Sequence, residues 1–167
     1  MTFTIEALAR WRDRSQFACG VEALDRYIRQ QASADARRRV ARVFVARAGE
    51  ASEVAGFYTL SAGSIERETL PPEVARRLPR YPVPVALIGR LAVDRRWSGQ
   101  GLGSSLVADA FRRVVQASAA LTVYAVVVDA KDERATGFHE RLGFIRLPES
   151  ERRLFFPTSA VERLIAD

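Results

Sequence analysis

Arg96-Trp97-Ser98-Gly99-Gln100-Gly101-Leu102-Gly103 separates two runs of opposite periodicity. Before it, Val85-Ala86-Leu87-Ile88-Gly89-Arg90-Leu91-Ala92-Val93-Asp94 is apolar on both faces apart from Arg90, the pattern of a central strand. After it, residues 103–117 read as a strong amphipathic helix. A glycine-rich turn between a buried strand and a helix start brings several main-chain N–H groups together, which makes a cradle for a pyrophosphate. Glycine is needed there because a side chain would block the diphosphate and because such turns often require positive φ. Arg96 adds a charge-assisted contact. A dinucleotide-binding turn has the spacing G-x-G-x-x-G, which Gly99, Gly101 and Gly103 do not match, and no acidic residue closes a following strand in the expected manner.

Working outward from the turn, residues 121–130 read as a second buried strand, and residues 133–142 as a helix closed by Gly143. Leu154-Phe155-Phe156 supplies a last strand before a short tail over residues 159–165. Upstream, residues 21–39 carry Leu24, Tyr27 and Ile28 at helical spacing after the break at Cys19-Gly20. Residues 40–48 alternate like a strand, Gly49-Glu50-Ala51-Ser52 is a turn, and residues 54–60 are the returning strand of a hairpin. Pro71 and Pro72 stand where a short helix over residues 74–78 can begin, and Pro79 ends it. Gly89 inside the central strand implies a bulge or a close backbone approach. The order helix, hairpin, strand, helix, strand, helix, strand predicts an α/β fold, a mixed sheet with helices on both faces, in a single domain over residues 1–167.

Composition narrows the class. The 167 residues are 48% hydrophobic and 28% charged, a globular balance long enough for one sizeable core. One cysteine, Cys19, and one histidine, His139, leave no disulfide and no cysteine- or histidine-rich metal site, so no metal is expected. No stretch has the apolar length to span a bilayer, and Met1-Thr2-Phe3-Thr4-Ile5-Glu6 lacks the order of a signal peptide, which implies a cytoplasmic protein without a membrane partner. The net charge is +6, and Lys131 is the sole lysine, so nearly every cation is a guanidinium suited to bidentate phosphate contacts. That balance fits a polyanionic partner, or genomic base composition alone. Arg37, Arg38, Arg39 and Arg42 form a dense run at the end of the first helix, fitted to an RNA backbone or simply solvated. Arg90, a cation in an apolar strand, needs a partner or a cavity: a phosphate, the substrate or a structural salt bridge.

The turn resembles the acetyl-CoA motif of the GNAT family, Q/R-x-x-G-x-G/A between the fourth strand and third helix, with Arg96, Gly99 and Gly101 in its places. A second family pattern, N-x-x-A-x-x-F/Y-Y-x-x-x-G-F, is matched by Ala135, Phe138, Gly143 and Phe144, with Asp132 in the usual Asn place and His139 in the usual Tyr place. The resemblance implies splayed fourth and fifth strands, with the pantetheine arm pairing with the main chain of Leu91, Ala92 and Val93. It further implies that acetyl-CoA lies along Arg96, Trp97, Ser98, Gly99, Gln100, Gly101, Leu102, Gly103 and Ser104, and against Asp132, Ala135 and Phe138.

A narrower resemblance, to the GNAT toxins of toxin-antitoxin modules, covers nearly the whole chain. It is carried by residues 17–28, 82–93, 128–132 and 153–157. It implies acetylation of the amino group of aminoacyl-tRNA, a ribbon-helix-helix antitoxin as partner, and a homodimer, to which aromatics expected to be exposed near the C-terminal strand also point. Arg37, Arg38, Arg39, Arg42 and Arg90 are then candidates for contact with tRNA. Such toxins place a tyrosine at the position of His139 to return a proton to the departing thiolate. Imidazole is able to do this near neutral pH, so His139 is a working acid, an attenuating replacement or a structural side chain. Cys19 as an acetyl-carrying nucleophile has no visible base beside it and reads better as a small buried or capping residue. The alternatives are an acetyltransferase acting on a small amine, an antibiotic or a protein N-terminus, and an impaired one acting as a binding module. The basic run disfavours a small cationic amine.

Overall fold

The computed structural model describes residues 2–9 and 13–166. Among the described residues seven strands, β1 (Phe3–Ala7), β2 (Arg42–Ala48), β3 (Val54–Ile65), β4 (Val83–Val93), β5 (Ala125–Asp129), β6 (Ile145–Arg146) and β7 (Arg153–Pro157), lie in the order β1-β2-β3-β4-β5-β7-β6. β4 and β5 pair in parallel, whereas β1–β2, β2–β3, β5–β7 and β6–β7 are antiparallel, which makes the sheet mixed, as the element order predicts. The chain groups into two compact units, Met1–Ser61 with Gly89–Ala110 and Ala62–Ile88 with Phe111–Asp167.

In the first unit, α1 (Glu22–Arg26), a π-helical turn (Tyr27–Gln31) and α2 (Ala32–Arg37) occupy the stretch predicted as one helix. The wide turn closes on a bond from the N–H of Ala32 to the carbonyl of Tyr27, so residues five apart both face the core. Phe17, Tyr27, Ile28 and Ala32 pack with Val43, Val45, Phe57 and Ala92 on one side of the strands. The alternate residues face the other way: Phe44 stacks on Tyr58 at 5.2 Å, and the Tyr58 hydroxyl donates to Asp109 at 2.6 Å. Asp109 belongs to α4 (Leu102–Ala117). A Cβ on Gly56 would lie 3.1 Å from Leu102 and 3.2 Å from Leu106, so glycine at that position admits the close approach of α4. The α1–α2 run and α4 therefore cover opposite faces, each burying about 1.5–3 kcal/mol of transfer free energy per large apolar side chain.

In the second unit, the parallel ladder runs from Val85↔Ala125 to Ile88↔Val128, and β4 continues beyond it to Val93. β5 itself stops at Asp129, so the last residues of β4 lie beyond the ladder. α3 (Pro72–Ala75) starts on its prolines and packs with Ile65, Leu70, Val83, Val85, Ala125, Val127 and Phe155. α5 is Glu133–Leu142 and α6 is Thr158–Ala166. The strand predicted over residues 121–130 starts only at Ala125, because helical bonding runs on past the end of α4, from the Ser118 N–H to the Val114 carbonyl and from the Leu121 N–H to the Ala117 carbonyl. Phe155 and Phe156 are buried, which corrects the expectation of exposed aromatics near the last strand. The exposed apolar residues of this unit include Ile145 on β6 and Leu164 and Ile165 on α6.

Candidate functional site

The turn that follows β4 begins at Asp94, which is buried and caps a short 3-10 helix (Arg95–Trp97). Its carboxylate accepts from the Arg96 N–H at 2.9 Å, the Ala18 N–H at 3.1 Å, and the Arg96 guanidinium at 3.1 and 3.2 Å. Burial alone would raise the pKa of Asp94. These donors and the guanidinium charge more than offset it and hold the carboxyl below the usual carboxylate range. Arg96 is also paired with Glu53, and its guanidinium lies 4.5 Å from the centre of the Trp97 ring. Arg96, read from the sequence as a diphosphate contact, is thus pinned by two carboxylates and anchors the turn. Asp94 escaped the sequence reading, although an Asp between a strand end and a helical turn is a recognisable capping signal.

Gly99 and Gly101 both have left-handed backbones, φ 78° and 81°. A Cβ at either position would meet no protein atom within 4 Å. Their demand for glycine is therefore conformational, and the space beside them is open to a ligand. α4 begins at once: the Ser105 N–H donates to the Gly101 carbonyl, so Leu102 is the first helical residue and its side chain goes into the core. Gly103 departs from the expectation of positive φ and lies within the helix. The N–H groups of the first turn, through Gly103 and Ser104, have no intrahelical carbonyl to bond, and they converge beside the open space. Ser98, Gln100 and Ser104 are exposed, and Leu91 and Val93 are half-buried on the last residues of β4 around buried Ala92. A diphosphate fits this arrangement.

The second group of predicted residues lies in the other unit, on α5. Asp132 caps that helix, accepting from the Ala135 N–H at 2.8 Å. Such a cap stabilises a helix by about 1 kcal/mol. Gly143 ends the helix at φ 110°, where a Cβ would sit 3.0 Å from the Phe156 ring. That termination lays Phe144 against His139. The His139 ring is buried, with Phe138 at 5.0 Å and 68° and Phe144 at 5.3 Å and 71°, both edge-on. Nδ1 of His139 has no hydrogen-bond partner, and burial pushes the imidazole pKa down to about 4. At neutral pH the ring is uncharged.

Arg37, Arg38, Arg39 and Arg42 are all exposed, in the first unit. α2 ends in bonds from Val40 N–H to the Asp35 carbonyl and from Arg39 N–H to the Ala36 carbonyl, the Schellman pattern. Arg39 sits at the left-handed position, φ 61°, where glycine is the ordinary choice. Arg90 has a partner that the sequence did not reveal: its guanidinium lies 3.8 Å from the centre of the Tyr27 ring. The thiol of Cys19 lies 3.7 Å from the Val21 carbonyl, and its N–H donates to buried Asp25.

A mixed sheet whose fourth strand outruns its parallel neighbour and leads through a glycine turn into a helix defines the class of acyl-CoA-type transferases. Residues 5–144 match the Acetyltransferase (GNAT) family, and the chain belongs to it. A tRNA-acetylating toxin of Mycobacterium tuberculosis is 38% identical over 156 residues, 93% of this chain and 92% of its own. Among solved structures, AtaT complexed with acetyl-methionyl-tRNAfMet superposes with a TM-score of 0.90 at 36% identity, covering 98% of this chain and 99% of AtaT. A Tyr→Phe mutant of the AtaT toxin, bound to the C-terminus of the antitoxin AtaR and to acetyl-CoA, superposes with a TM-score of 0.85 at 33% identity, covering 100% of both chains. No helix among the described residues is long and apolar enough to cross a membrane.

Proposed function

We propose that this chain transfers the acetyl group of acetyl-CoA to the α-amino group of an aminoacyl-tRNA and so blocks translation. The observation that carries the reading is the similarity to a tRNA-acetylating toxin over 93% of the chain, which the open glycine cradle at the start of α4 supports independently. Acetyl-CoA supplies an acetyl group activated as a thioester. The first-turn N–H groups of α4, with Gly99 and Gly101, would take its diphosphate, and the main chain of Leu91, Ala92 and Val93 would hold the pantetheine arm. The α-amino group of an amino acid ester is weakly basic compared with a lysine, so an uncharged fraction attacks at physiological pH without a strong base. The exposed arginines at residues 37–39 and 42 give the RNA backbone a cationic surface.

By the family resemblance, His139 stands where a tyrosine would return the proton to the thiolate. As a buried neutral imidazole it is a weak acid, with only about one molecule in a thousand protonated at pH 7. The chain is on this reading an attenuated toxin, with residual turnover resting on orientation of the two substrates. An antitoxin of ribbon-helix-helix type would cover the basic surface. Exposed Ile145, Leu164 and Ile165 support self-association as a homodimer. A tRNA substrate places the protein in the cytoplasm.

The test is transfer of label from acetyl-CoA to a tRNA pool, charged or stripped of its amino acids. Label on the charged pool alone supports the reading. Label on small amines or on protein N-termini, with none on charged tRNA, overturns it.

A further inference from the structure

Arg90 stands on β4 between the parallel ladder and the strand end that leads to the glycine turn, and it is held more firmly than a surface arginine. Its main-chain N–H donates to the Thr59 hydroxyl at 3.1 Å, which fixes the backbone at that point. Gly89 beside it leaves room for that hydroxyl, which would lie 3.3 Å from a Cβ. The guanidinium covers the face of Tyr27 at 3.8 Å. Tyr27 is itself buried, stacks on Phe57 at 6.1 Å, and donates its hydroxyl to Asp35 at 2.9 Å. Burial first, and then the bond to Asp35, push the phenol pKa up to about 12, so the ring keeps its proton and its donor role at any physiological pH. Among the described residues the Arg90 guanidinium makes no ion pair. Stacking occupies the flat face of a guanidinium and leaves the N–H donors around its edge directed outward, as a fork for an oxyanion.

The two faces of the first unit separate this fork from the diphosphate cradle. Gly56 and Tyr58 face α4, whereas Phe57 and Tyr27 face the α1–α2 run. Arg90 lies over Tyr27, on the face opposite α4, whose N-terminus takes the diphosphate in the proposed function. The same helical run carries Tyr27, Asp35 and, at its end, the exposed Arg37, Arg38 and Arg39. We infer that Arg90 is a preorganised fork for a phosphodiester of the acceptor RNA, and that Tyr27 and Asp35 are the residues that position it. This rests on the aminoacyl-tRNA reading above and adds to it a site distinct from the arginine run.

The test measures binding of charged tRNA by the whole chain between 50 and 200 mM salt, and binding of acetyl-CoA separately. Arg90→Gln should weaken tRNA binding about tenfold and lower the slope of log affinity against log salt by about one, with acetyl-CoA affinity kept within about twofold. Tyr27→Leu should weaken tRNA binding about three- to tenfold although the charge at residue 90 is intact, and Tyr27→Phe, which keeps the ring and loses only Asp35, by less. Circular dichroism checks the fold of each variant; should Tyr27→Leu fail to fold, Arg90→Gln and Tyr27→Phe carry the comparison. Parental tRNA affinity and salt slope in Arg90→Gln overturn the inference, as does a tenfold loss confined to acetyl-CoA, which would hand the fork to the cofactor. A parent chain that does not bind tRNA overturns the functional reading as well.

Discussion

Replacing His139 by Phe should flatten the acid limb of the protein's stability curve. The imidazole has an ordinary pKa of 6.5 in the unfolded chain and about 4 in the fold, because burial disfavours its charged form. Above pH 6.5 both states are neutral and the group makes no pH-dependent contribution. Below it the unfolded chain binds a proton that the native ring refuses, so stability falls as the pH drops from 6.5 towards 4. The loss is about 2 kcal/mol at pH 5 and levels off near 3 kcal/mol below pH 4. For a chain of this size that is a decrease of about 4–8 °C in Tm at pH 5. Carboxylates elsewhere also titrate in this range, so the informative quantity is the difference between parent and His139→Phe. Guanidinium unfolding at pH 7.5 and pH 5 should show the parent losing about 2 kcal/mol more than the variant. Equal losses would mean that the ring is protonated in the native state, and the description of His139 as a buried neutral base would fail.

Three further substitutions test other parts of the structure. Gly101→Ala places a side chain at φ 81° with no protein atom near it, so stability should fall by only about 1 kcal/mol while acetyl-CoA affinity, measured by calorimetry, falls at least tenfold. Unchanged affinity would remove the cradle from the site. Arg39→Gly relieves a left-handed backbone at the Schellman position and should raise stability by about 1 kcal/mol, read as an increase of about 2–4 °C in Tm. Asp94→Ala leaves the Ala18 and Arg96 N–H groups without their acceptor and should destabilise the chain by about 2–4 kcal/mol, read from its denaturation midpoint.

What the sequence shows and what it hides divide by distance along the chain. The cradle is legible because its elements are local: Gly99, Gly101 and the start of α4 span a few residues, each with a conformational signature. α5 is legible at both ends, from the cap at Asp132 to the left-handed Gly143. β1 is not, because Phe3-Thr4-Ile5-Glu6-Ala7 alternates too briefly to stand out and gains its identity only by pairing with residues 44–48. α6 reads as a tail because only Thr158 and Val161 of its residues are buried. Side-chain partnerships escape for the same reason. Arg96 meets Glu53 across 43 positions, and Arg90 meets Tyr27 through folding alone. Nothing local distinguishes an arginine that will grip a phosphate from one that will brace a loop.

The most direct measurement of the central claim is mass spectrometry of the nucleosides released by RNase from charged tRNA after incubation with acetyl-CoA and this chain, alongside His139→Tyr. The expected result is an N-acetyl-aminoacyl-adenosine, formed slowly by the parent and about 10² or more times faster by His139→Tyr. Unmodified aminoacyl-adenosine with both proteins, under conditions where each binds acetyl-CoA, would contradict it.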